Sequence, residues 1–357
     1  LVLPLMDHVG GDQGIFVIGA IAAVGAALLS HAHGRPRVCT ASCLCAAALL
    51  VGPWANRDLS IVDVRSHRTT LQGVQNLVLE DQEIARTWNS LSRLGFFETR
   101  DHSEVYVRID SSCQTSIPAT IAEQGAPRLG RDPFERLPFV LGHPRRYLEI
   151  GAGGGIGMML AHAQGSETVT GVEINPDIVQ ATLSQFPGYG VAPLLADPRN
   201  RLVTAEGRSW ASGCPDRFDV VTITFIQTGV ASASAAFALS EANLFTVEAF
   251  EQFLRLLDEH GLFYVYRRGG NEFLRLITLA RESLRRLGVD DARRHLYAAS
   301  SRAGGAILLI SPMPISQEDV AKLDRSCGEL GIEILYSPSI PPGARPPNPF
   351  PERVREL

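Results

Sequence analysis

Lysine is almost absent from this chain of 357 residues: Lys322 is the only one, and arginine carries nearly all of the positive charge. We attribute this bias to genomic composition and not to function. The chain also has no excess of positive charge, since its formal net charge is −5 at pH 7. Nucleic-acid binding requires a basic surface, so the composition offers no electrostatic basis for a nucleic-acid partner.

A recognisable metal-binding pattern is missing as well. Three of the six cysteines, Cys39, Cys43 and Cys45, lie together in an apolar segment that has no histidine or acidic neighbour. Thiolate ligands would be costly there, so we interpret these residues as small apolar side chains. The other cysteines are isolated, which fits a reduced compartment. The sequence therefore predicts no metal cofactor.

Charged residues are missing from two long stretches near the start of the chain. Residues 13–30 and 38–56 contain no Asp, Glu, Lys or Arg, and a short basic loop separates them. Each stretch approaches the roughly 20 residues that cross a bilayer, and Trp54 lies where an interfacial aromatic residue is expected. The pattern predicts a transmembrane helical hairpin over residues 1–56, at the end of a larger membrane region. The alternative is a buried helical hairpin in a soluble protein.

The arginines on the two sides of this hairpin predict its orientation. Arg35 and Arg37 lie in the loop, whereas Arg57, Arg65 and Arg68 follow the second stretch. Because positive charge favours the cytoplasmic side, the count indicates that the soluble part faces the cytoplasm.

The rest of the chain has the pattern of two domains and a tail. Residues 57–140 contain short apolar runs between turn residues, which predicts a small β-rich domain. Over residues 141–340 strands and helices alternate, as in an α/β doubly wound sheet. Residues 341–357 are rich in proline and are predicted to be extended or disordered. The predicted strands are residues 61–64, 77–79, 94–97, 105–109, 146–150, 169–174, 202–205, 218–224, 261–266 and 306–310. The predicted helices cover the apolar pattern at residues 156–160, the stretch after Asn175 to about Gln185, a segment that begins at Thr246, the stretch from Asn271 to about Leu287, and a last segment capped by Ser316.

A glycine-rich turn follows the first strand of the second domain. Glycines permit the sharp turn and the close approach of a ligand to the backbone. A second apolar run ends at Glu173, 22 residues after Gly151, where a carboxylate can accept both hydroxyls of a ribose. Glu206 ends a third strand and is placed to accept from an adenine amino group. The candidate nucleoside-binding residues at these strand ends are Gly151, Gly153, Gly154, Gly155, Glu173, Ile174, Glu206 and Gly207.

An S-adenosyl nucleoside needs three strand ends: one with the glycine turn, one with an acceptor for the ribose and one with an acceptor for the base. This sequence offers all three. A nicotinamide dinucleotide would need a further group of residues for hydride transfer, and the sequence shows none. The sequence therefore favours decarboxylated S-adenosylmethionine or S-adenosylmethionine as the substrate that the domain binds.

At this point the chain resembles the spermidine/spermine synthase family, in particular the bacterial branch that carries a membrane region before the catalytic domain. The resemblance implies a small β domain on a methyltransferase-like (Rossmann-like) sheet, transfer of an aminopropyl group to a putrescine-like amine acceptor, and a homodimer. It adds Gln114 to the nucleoside site, and with the hairpin it implies the bacterial inner membrane as the location. The matching stretches are residues 88–93, 109–110 with Gln114, 143–155, 172–176, 205–210, 218–220 and 236–250.

The chain departs from this family where the acceptor amine should bind. The family usually has two aspartates after the fourth strand, and this chain has Thr224 and Gln227 in their place. The family often has an aspartate in the glycine turn, where this chain has Gly154. The Tyr-His-Glu stretch of soluble members corresponds to residues 134–136, Phe-Glu-Arg. A general base and a counter-charge are thus missing, so we expect weak or absent transfer to ordinary diamines.

The candidate catalytic residues are Gln227, Thr224 and Asp110, and Glu149 and Glu241 are further carboxylates with a possible structural role. Three functions remain open. The first is an aminopropyltransferase-like enzyme, and the second is an S-adenosylmethionine-dependent methyltransferase, which can rely on positioning alone. The third is a non-catalytic nucleoside-binding sensor attached to a membrane module.

Overall fold

The computed structural model describes residues 11–59, 83–110, 113–120, 132–224, 243–268, 271–300 and 305–339. By its internal contacts the chain divides into two compact units, one with residues 1–97 and 108–114 and the other with residues 98–107 and 115–357. Several predictions fall outside the described residues: the strands at 61–64 and 77–79, the side chains of Gln227 and Glu241, and the tail after residue 340.

Two apolar helices form an antiparallel hairpin at the start of the described chain. Helix α1 spans Gly11–Ala32 and helix α2 spans Pro36–Leu59. The helices touch where Gly52 of α2 meets the ring of Phe16 on α1, because a Cβ added at Gly52 would lie 2.1 Å from a ring carbon. Both helices are long and apolar enough to cross a membrane, and only 11% and 6% of their apolar windows are buried. The core helix of a soluble protein would be mostly buried, so this hairpin exposes the apolar side chains that such a helix would cover.

Four short strands form a sheet in chain order. They are β1 (Ala85–Trp88), β2 (Arg93–Glu98), β3 (Glu104–Ile109) and β4 (Cys113–Pro118). Strands β2 and β3 match the predicted runs at 94–97 and 105–109, and their side chains are buried over most of their length. Strands β1 and β4 were not predicted.

A second sheet of eight strands dominates the rest of the described chain. Its strands are β5 (Arg146–Ile150), β6 (Thr168–Glu173), β7 (Arg201–Thr204), β8 (Phe218–Thr224), β9 (Leu257–Arg268), β10 (Leu296–Ser300), β11 (Gly305–Ile310) and β12 (Glu333–Tyr336). The order across the sheet is β7-β6-β5-β8-β9-β11-β10-β12. Neighbours from β7 to β9 are parallel, and β11, β10 and β12 are added antiparallel to their neighbours.

Helices cover both faces of this sheet. Phe250, Phe253 and Phe273 come from helices on one face and belong to the same buried cluster as Leu148 and Val221 of the sheet. On the other face, a second cluster joins Tyr264 and Leu309 to helices near residues 134 and 323. The helices are α3 (Pro133–Arg136), α4 (Ile156–Ala163), α5 (Pro176–Gln180), α6 (Gly207–Gly213), α7 (Val247–Arg255), α8 (Asn271–Arg286) and α9 (Gln317–Glu329), with short turns of other helix types at Leu137–Phe139, Ala181–Gln185, Leu194–Ala196 and Ala292–His295.

This arrangement is the predicted methyltransferase-like doubly wound α/β sheet, preceded by a smaller β-sheet and two apolar helices. Strand β5 lies between β6 on one side and β8 on the other, so the strand order reverses there. Ligands of such sheets bind at the carboxyl ends of the strands beside this reversal. A functional site is therefore expected at the carboxyl ends of β5, β6, β7 and β8.

Candidate functional site

The glycine turn after β5 has the backbone conformation that its sequence predicts. Gly151, Gly153 and Gly155 have φ values of 76°, 53° and 88°, in the left-handed region that side chains with a Cβ rarely adopt. Gly154 is required for a different reason: an added Cβ would lie 2.0 Å from the Ser116 carbonyl oxygen on β4. The turn is thus fixed both by its own dihedral angles and by close contact with a neighbouring strand.

Every backbone N–H of this turn donates a hydrogen bond within the protein. A pyrophosphate-binding turn needs free N–H groups to hold the phosphate oxygens, and this turn has none to offer between residues 151 and 155. The N–H groups of residues 151–155 are therefore already used to fix the turn itself. The acceptors are the Val172 carbonyl for Gly151 and Ala152, Glu173 Oε2 for Gly153, Thr115 Oγ1 for Gly154 and the Ala152 carbonyl for Gly155.

Glu173, the predicted ribose acceptor, lies at the end of β6 directly beside the turn. Its Oε2 accepts from the Gly153 N–H at 2.9 Å, and its Oε1 accepts from the Asn175 N–H at 2.8 Å. The side chain is buried, and burial raises its pKa although these hydrogen bonds lower it. Each oxygen has a second lone pair, so the carboxylate can still accept from a ligand. The role of Glu173 and of the adjacent, half-buried Ile174 at a ribose stays a prediction.

Glu206 and Gly207 follow β7 and begin helix α6. The Glu206 carboxylate caps this helix, because it accepts from the backbone N–H groups of Arg208 at 3.1 Å and Ser209 at 2.8 Å. Gly207 is buried, and an added Cβ would lie 2.4 Å from the Ile150 side chain at the end of β5. This capping role was not predicted from the sequence, and the contact of Glu206 with an adenine stays a prediction.

Thr224 ends strand β8 and is hydrogen-bonded to a buried carboxyl group. Its Oγ1 donates to Glu149 Oε1 at 3.0 Å. Glu149 lies on β5 and is only 3% exposed. Burial is the main cause that raises its pKa to about 8, the Thr224 hydrogen bond lowers it, and the nearby Glu135 and Glu173 raise it further. The carboxylate also packs on helix α4, where a Cβ at Gly157 would lie 2.4 Å from both of its oxygens.

Asp110 and Gln114 belong to the other compact unit and are described by their own surroundings. Asp110 adopts a left-handed φ of 53°, which aspartate tolerates better than most residues. Its Oδ1 accepts from the Arg93 N–H at 3.0 Å, and its own N–H donates to the Arg93 carbonyl. Burial raises its pKa. Gln114 is an exposed residue of β4. The catalytic role of Asp110 and the binding role of Gln114 stay predictions.

The structure thus brings together the glycine turn, Glu173, Thr224 and one carboxylate that the sequence placed only within a strand, Glu149. It adds Thr115, which no spacing pattern indicated because it lies 39 residues from its partner Gly154. Within the described residues, no group of three or more His, Cys, Asp or Glu side chains could hold a metal ion. Gln227 lies outside these residues.

Comparison with known proteins gives the following matches. The chain is 30% identical over 123 residues to the polyamine aminopropyltransferase of Pectobacterium carotovorum, which is 34% of this chain and 39% of that protein. It is 29% identical over 123 residues to the enzyme of the same name from Pectobacterium atrosepticum, with the same coverage. The match therefore spans about two fifths of the length of these curated relatives.

Among solved structures, the spermidine synthase of Thermotoga maritima is 18% identical, with 66% of this chain and 75% of that chain covered and a TM-score of 0.47. No protein-family model matches the chain. The sequence similarity is to polyamine aminopropyltransferases, and it confirms the family resemblance that the motifs predicted.

Proposed function

We propose that this protein binds an S-adenosyl nucleoside at the carboxyl ends of β5, β6 and β7. We further propose that it transfers the aminopropyl group of decarboxylated S-adenosylmethionine to a putrescine-like amine. The main support is that the glycine turn after β5 lies directly against Glu173, the acidic end of β6, whose carboxylate accepts from the Gly153 N–H. Glu206 follows β7, so two carboxyl groups, Glu173 and Glu206, lie at the ends of neighbouring strands. Such a site favours a cationic sulfonium nucleoside over an anionic nucleotide.

Calorimetry on the full chain in detergent tests the nucleoside half of this proposal. We expect decarboxylated S-adenosylmethionine and methylthioadenosine to bind, and NAD and ATP to show no measurable heat of binding. Tight binding of ATP or NAD with no binding of methylthioadenosine would reject the nucleoside assignment.

A product assay tests the transfer half. Decarboxylated S-adenosylmethionine and putrescine are supplied, and spermidine and methylthioadenosine are measured as paired products. Equal amounts of the two support aminopropyl transfer. The Thr224→Asp and Gln227→Asp double variant, which introduces the aspartates that the resemblance implies, is expected to form spermidine faster than the unchanged chain.

A second function is an S-adenosylmethionine-dependent methyltransferase. It is favoured by Thr224, which replaces an acidic residue that aminopropyl transfer would use but methyl transfer can omit. If S-adenosylmethionine binds more tightly than its decarboxylated form in the calorimetry, the methyltransferase function is favoured. If nucleosides bind but neither substrate is turned over, the non-catalytic sensor is favoured.

We also propose that helices α1 and α2 span the bacterial inner membrane with the large sheet on the cytoplasmic side. The support is the low buried fraction of both helices and the exposure of large apolar side chains along them, including Ile21, Leu28 and Leu44. The full chain is expected in the membrane fraction and to require detergent for extraction. A fluorescent protein fused to the C-terminus should be fluorescent, because such a reporter folds in the cytoplasm. A fully soluble chain would reject the membrane assignment.

A further inference from the structure

We infer that Glu149, acting through the hydroxyl of Thr224, accepts the proton that the acceptor amine must lose before it attacks the sulfonium substrate. The inference rests on the proposed aminopropyl transfer and deepens it, because it names the group that replaces the missing aspartates. Thr224 is the residue that contacts the amine. Glu149 does not contact the amine. It is a positioning residue that holds the proton behind the Thr224 hydroxyl, to which it is hydrogen-bonded.

The register of the sheet places these two residues together. Glu149 on β5 is paired with Thr222 on β8, so the side chain of Thr224, two residues further, lies on the same face at the strand end. The hydroxyl of Thr224 donates to Glu149 Oε1 at 3.0 Å. Thr224 is partly exposed while Glu149 is buried. The hydroxyl of Thr224 is therefore the more exposed end of this hydrogen-bonded pair.

The carboxylate is held in place from its other side. A Cβ at Gly157 of helix α4 would lie 2.4 Å from both carboxylate oxygens, so the glycine permits this contact. Glu149 Oε2 meets no donor at full hydrogen-bond geometry in the part of the chain that the structure describes, although the Met158 backbone N–H on α4 is close enough to lower the pKa of this carboxyl. Oε1 is the oxygen that accepts from the Thr224 hydroxyl, so it is the one that a proton passed through this hydroxyl reaches.

The surroundings of Glu149 adjust its basicity for this task. Burial raises its pKa to about 8, and the carboxylates of Glu135 on α3 and Glu173 on β6 contribute in the same direction. The amine of an alkyl diamine has a pKa near 10. Transfer from such an ammonium to Glu149 is therefore much less unfavourable than transfer to an ordinary carboxylate with a pKa near 4. A base also works best when its pKa lies close to the working pH.

The reaction then balances as follows. An ammonium proton of the acceptor moves to Thr224 Oγ1 as the Thr224 proton moves to Glu149 Oε1, which leaves a neutral amine and a protonated carboxyl group. The amine lone pair attacks the aminopropyl carbon bonded to sulfur. The C–N bond forms, the C–S bond breaks, and its electron pair stays on sulfur to give neutral methylthioadenosine. The product is a secondary ammonium, and Glu149 returns its proton to solvent after product release.

The test compares variants of the full chain in detergent, with decarboxylated S-adenosylmethionine and putrescine, from about pH 6 to pH 9.5. In the unchanged protein kcat/KM should rise with pH through about pH 8. Glu149→Gln should lower kcat about 10²–10⁴-fold, the usual effect of losing a general base, and remove this inflection. Methylthioadenosine affinity should change less than twofold. Glu167→Gln, at an exposed carboxylate paired with Arg145, is the control and should match the unchanged protein.

Thr224 provides a second pair of variants, in case Glu149→Gln does not fold. Thr224→Val keeps the shape but removes the hydroxyl, and it should lose activity as Glu149→Gln does. Thr224→Ser keeps the hydroxyl and should retain most of the activity and the pH profile. If the unchanged chain forms spermidine and both Glu149→Gln and Thr224→Val retain its rate and pH profile, the proton path is wrong and aminopropyl transfer stands. If the unchanged chain binds methylthioadenosine but forms no spermidine, both are wrong.

Discussion

Gly154 and Ser116 are in backbone contact, with no room for a side chain between them. A Cβ at Gly154 would lie 2.0 Å from the Ser116 carbonyl oxygen and 2.4 Å from its carbonyl carbon. The Gly154 N–H donates to the hydroxyl of the preceding residue, Thr115. Strand β4 therefore occupies the space into which an aspartate at position 154 would point. The aspartate that the resemblance implies at this position would therefore have no room in this chain, because backbone atoms of β4 fill the space.

The first prediction follows from this contact. Gly154→Ala and Gly154→Asp should both lower the unfolding temperature, since overpacking costs about 1–3 kcal/mol and each kcal/mol lowers the midpoint by roughly 2–4 °C in a domain of this size. Gly213→Ala is the matched control, because an added Cβ there meets no atom within 4 Å. Thermal unfolding in detergent measures the three variants. A stable Gly154→Asp variant with faster transfer would mean that β4 can move aside.

The second prediction concerns the pH dependence of stability. The folded protein holds a proton on Glu149 up to about pH 8, whereas the unfolded chain loses it near pH 4.5. The stabilisation is therefore complete below pH 4.5 and is lost as the pH rises through 8. Glu149→Gln cannot ionise, so its stability relative to the unchanged protein should improve from pH 5 to pH 8. At 1.36 kcal/mol per unit, the upper limit over these three pH units is about 4 kcal/mol.

Unfolding temperatures at pH 5 and pH 8 measure this effect. Glu167→Gln serves as the comparison, since its Arg145 partner lowers the pKa of that carboxyl and no titration of it falls between these values. An equal response of both variants to pH would contradict the assignment of a raised pKa to Glu149.

The third prediction concerns Glu173. Glu173→Ala removes a charged acceptor from the predicted ribose site and should weaken methylthioadenosine binding by about 1.5–3 kcal/mol, roughly 10–150-fold in Kd. It also leaves the N–H groups of Gly153 and Asn175 without their acceptor, so the unfolding temperature should fall too. Calorimetry and thermal unfolding separate the two effects. Unchanged affinity in a folded Glu173→Ala variant would remove Glu173 from the nucleoside site.

The fourth prediction concerns the helical hairpin. Gly52→Ala should destabilise it, because the new Cβ would lie 2.1–2.8 Å from three ring atoms of Phe16. Gly25→Ala has open space around its Cβ and should stabilise helix α1 by up to about 1 kcal/mol. Helical circular dichroism during heating in detergent should therefore move in opposite directions for the two variants. A shift in the same direction would argue against the observed packing of α1 on α2.

The sequence predicted the parts of the fold that have a local signal. The ends of β5, β6 and β8 follow from apolar runs that stop at glycine or polar residues, and the left-handed glycines of the turn follow from their spacing. Strand β10 was missed because its sequence, Leu-Tyr-Ala-Ala-Ser, has little β propensity of its own. Pairing with β11 and β12 on both sides holds it in the sheet.

The site was predicted less completely than the fold, since its contacts join residues far apart in the chain. Glu149 and Thr224 are 75 residues apart, and no periodicity connects a strand-interior glutamate to a strand-end threonine. Glu206 was recognised as an acidic strand end, but the helix that it caps was not. The sequence pattern predicted which edge of the sheet carries the site. The hydrogen-bonded pairs at that edge, such as Thr224 with Glu149, are visible only in the folded structure.

The contact between Glu149 and Gly157 links the identities of the two positions. A side chain at 157 would occupy the space of the carboxylate oxygens, so a related chain that gains one there must also give up or redirect the acid at 149. The same acid needs a hydroxyl at 224 to reach the open edge. Glutamate, glycine and serine or threonine at these three positions therefore form a signature, and its presence or breakup can sort related sequences into those that retain this proton path and those that do not.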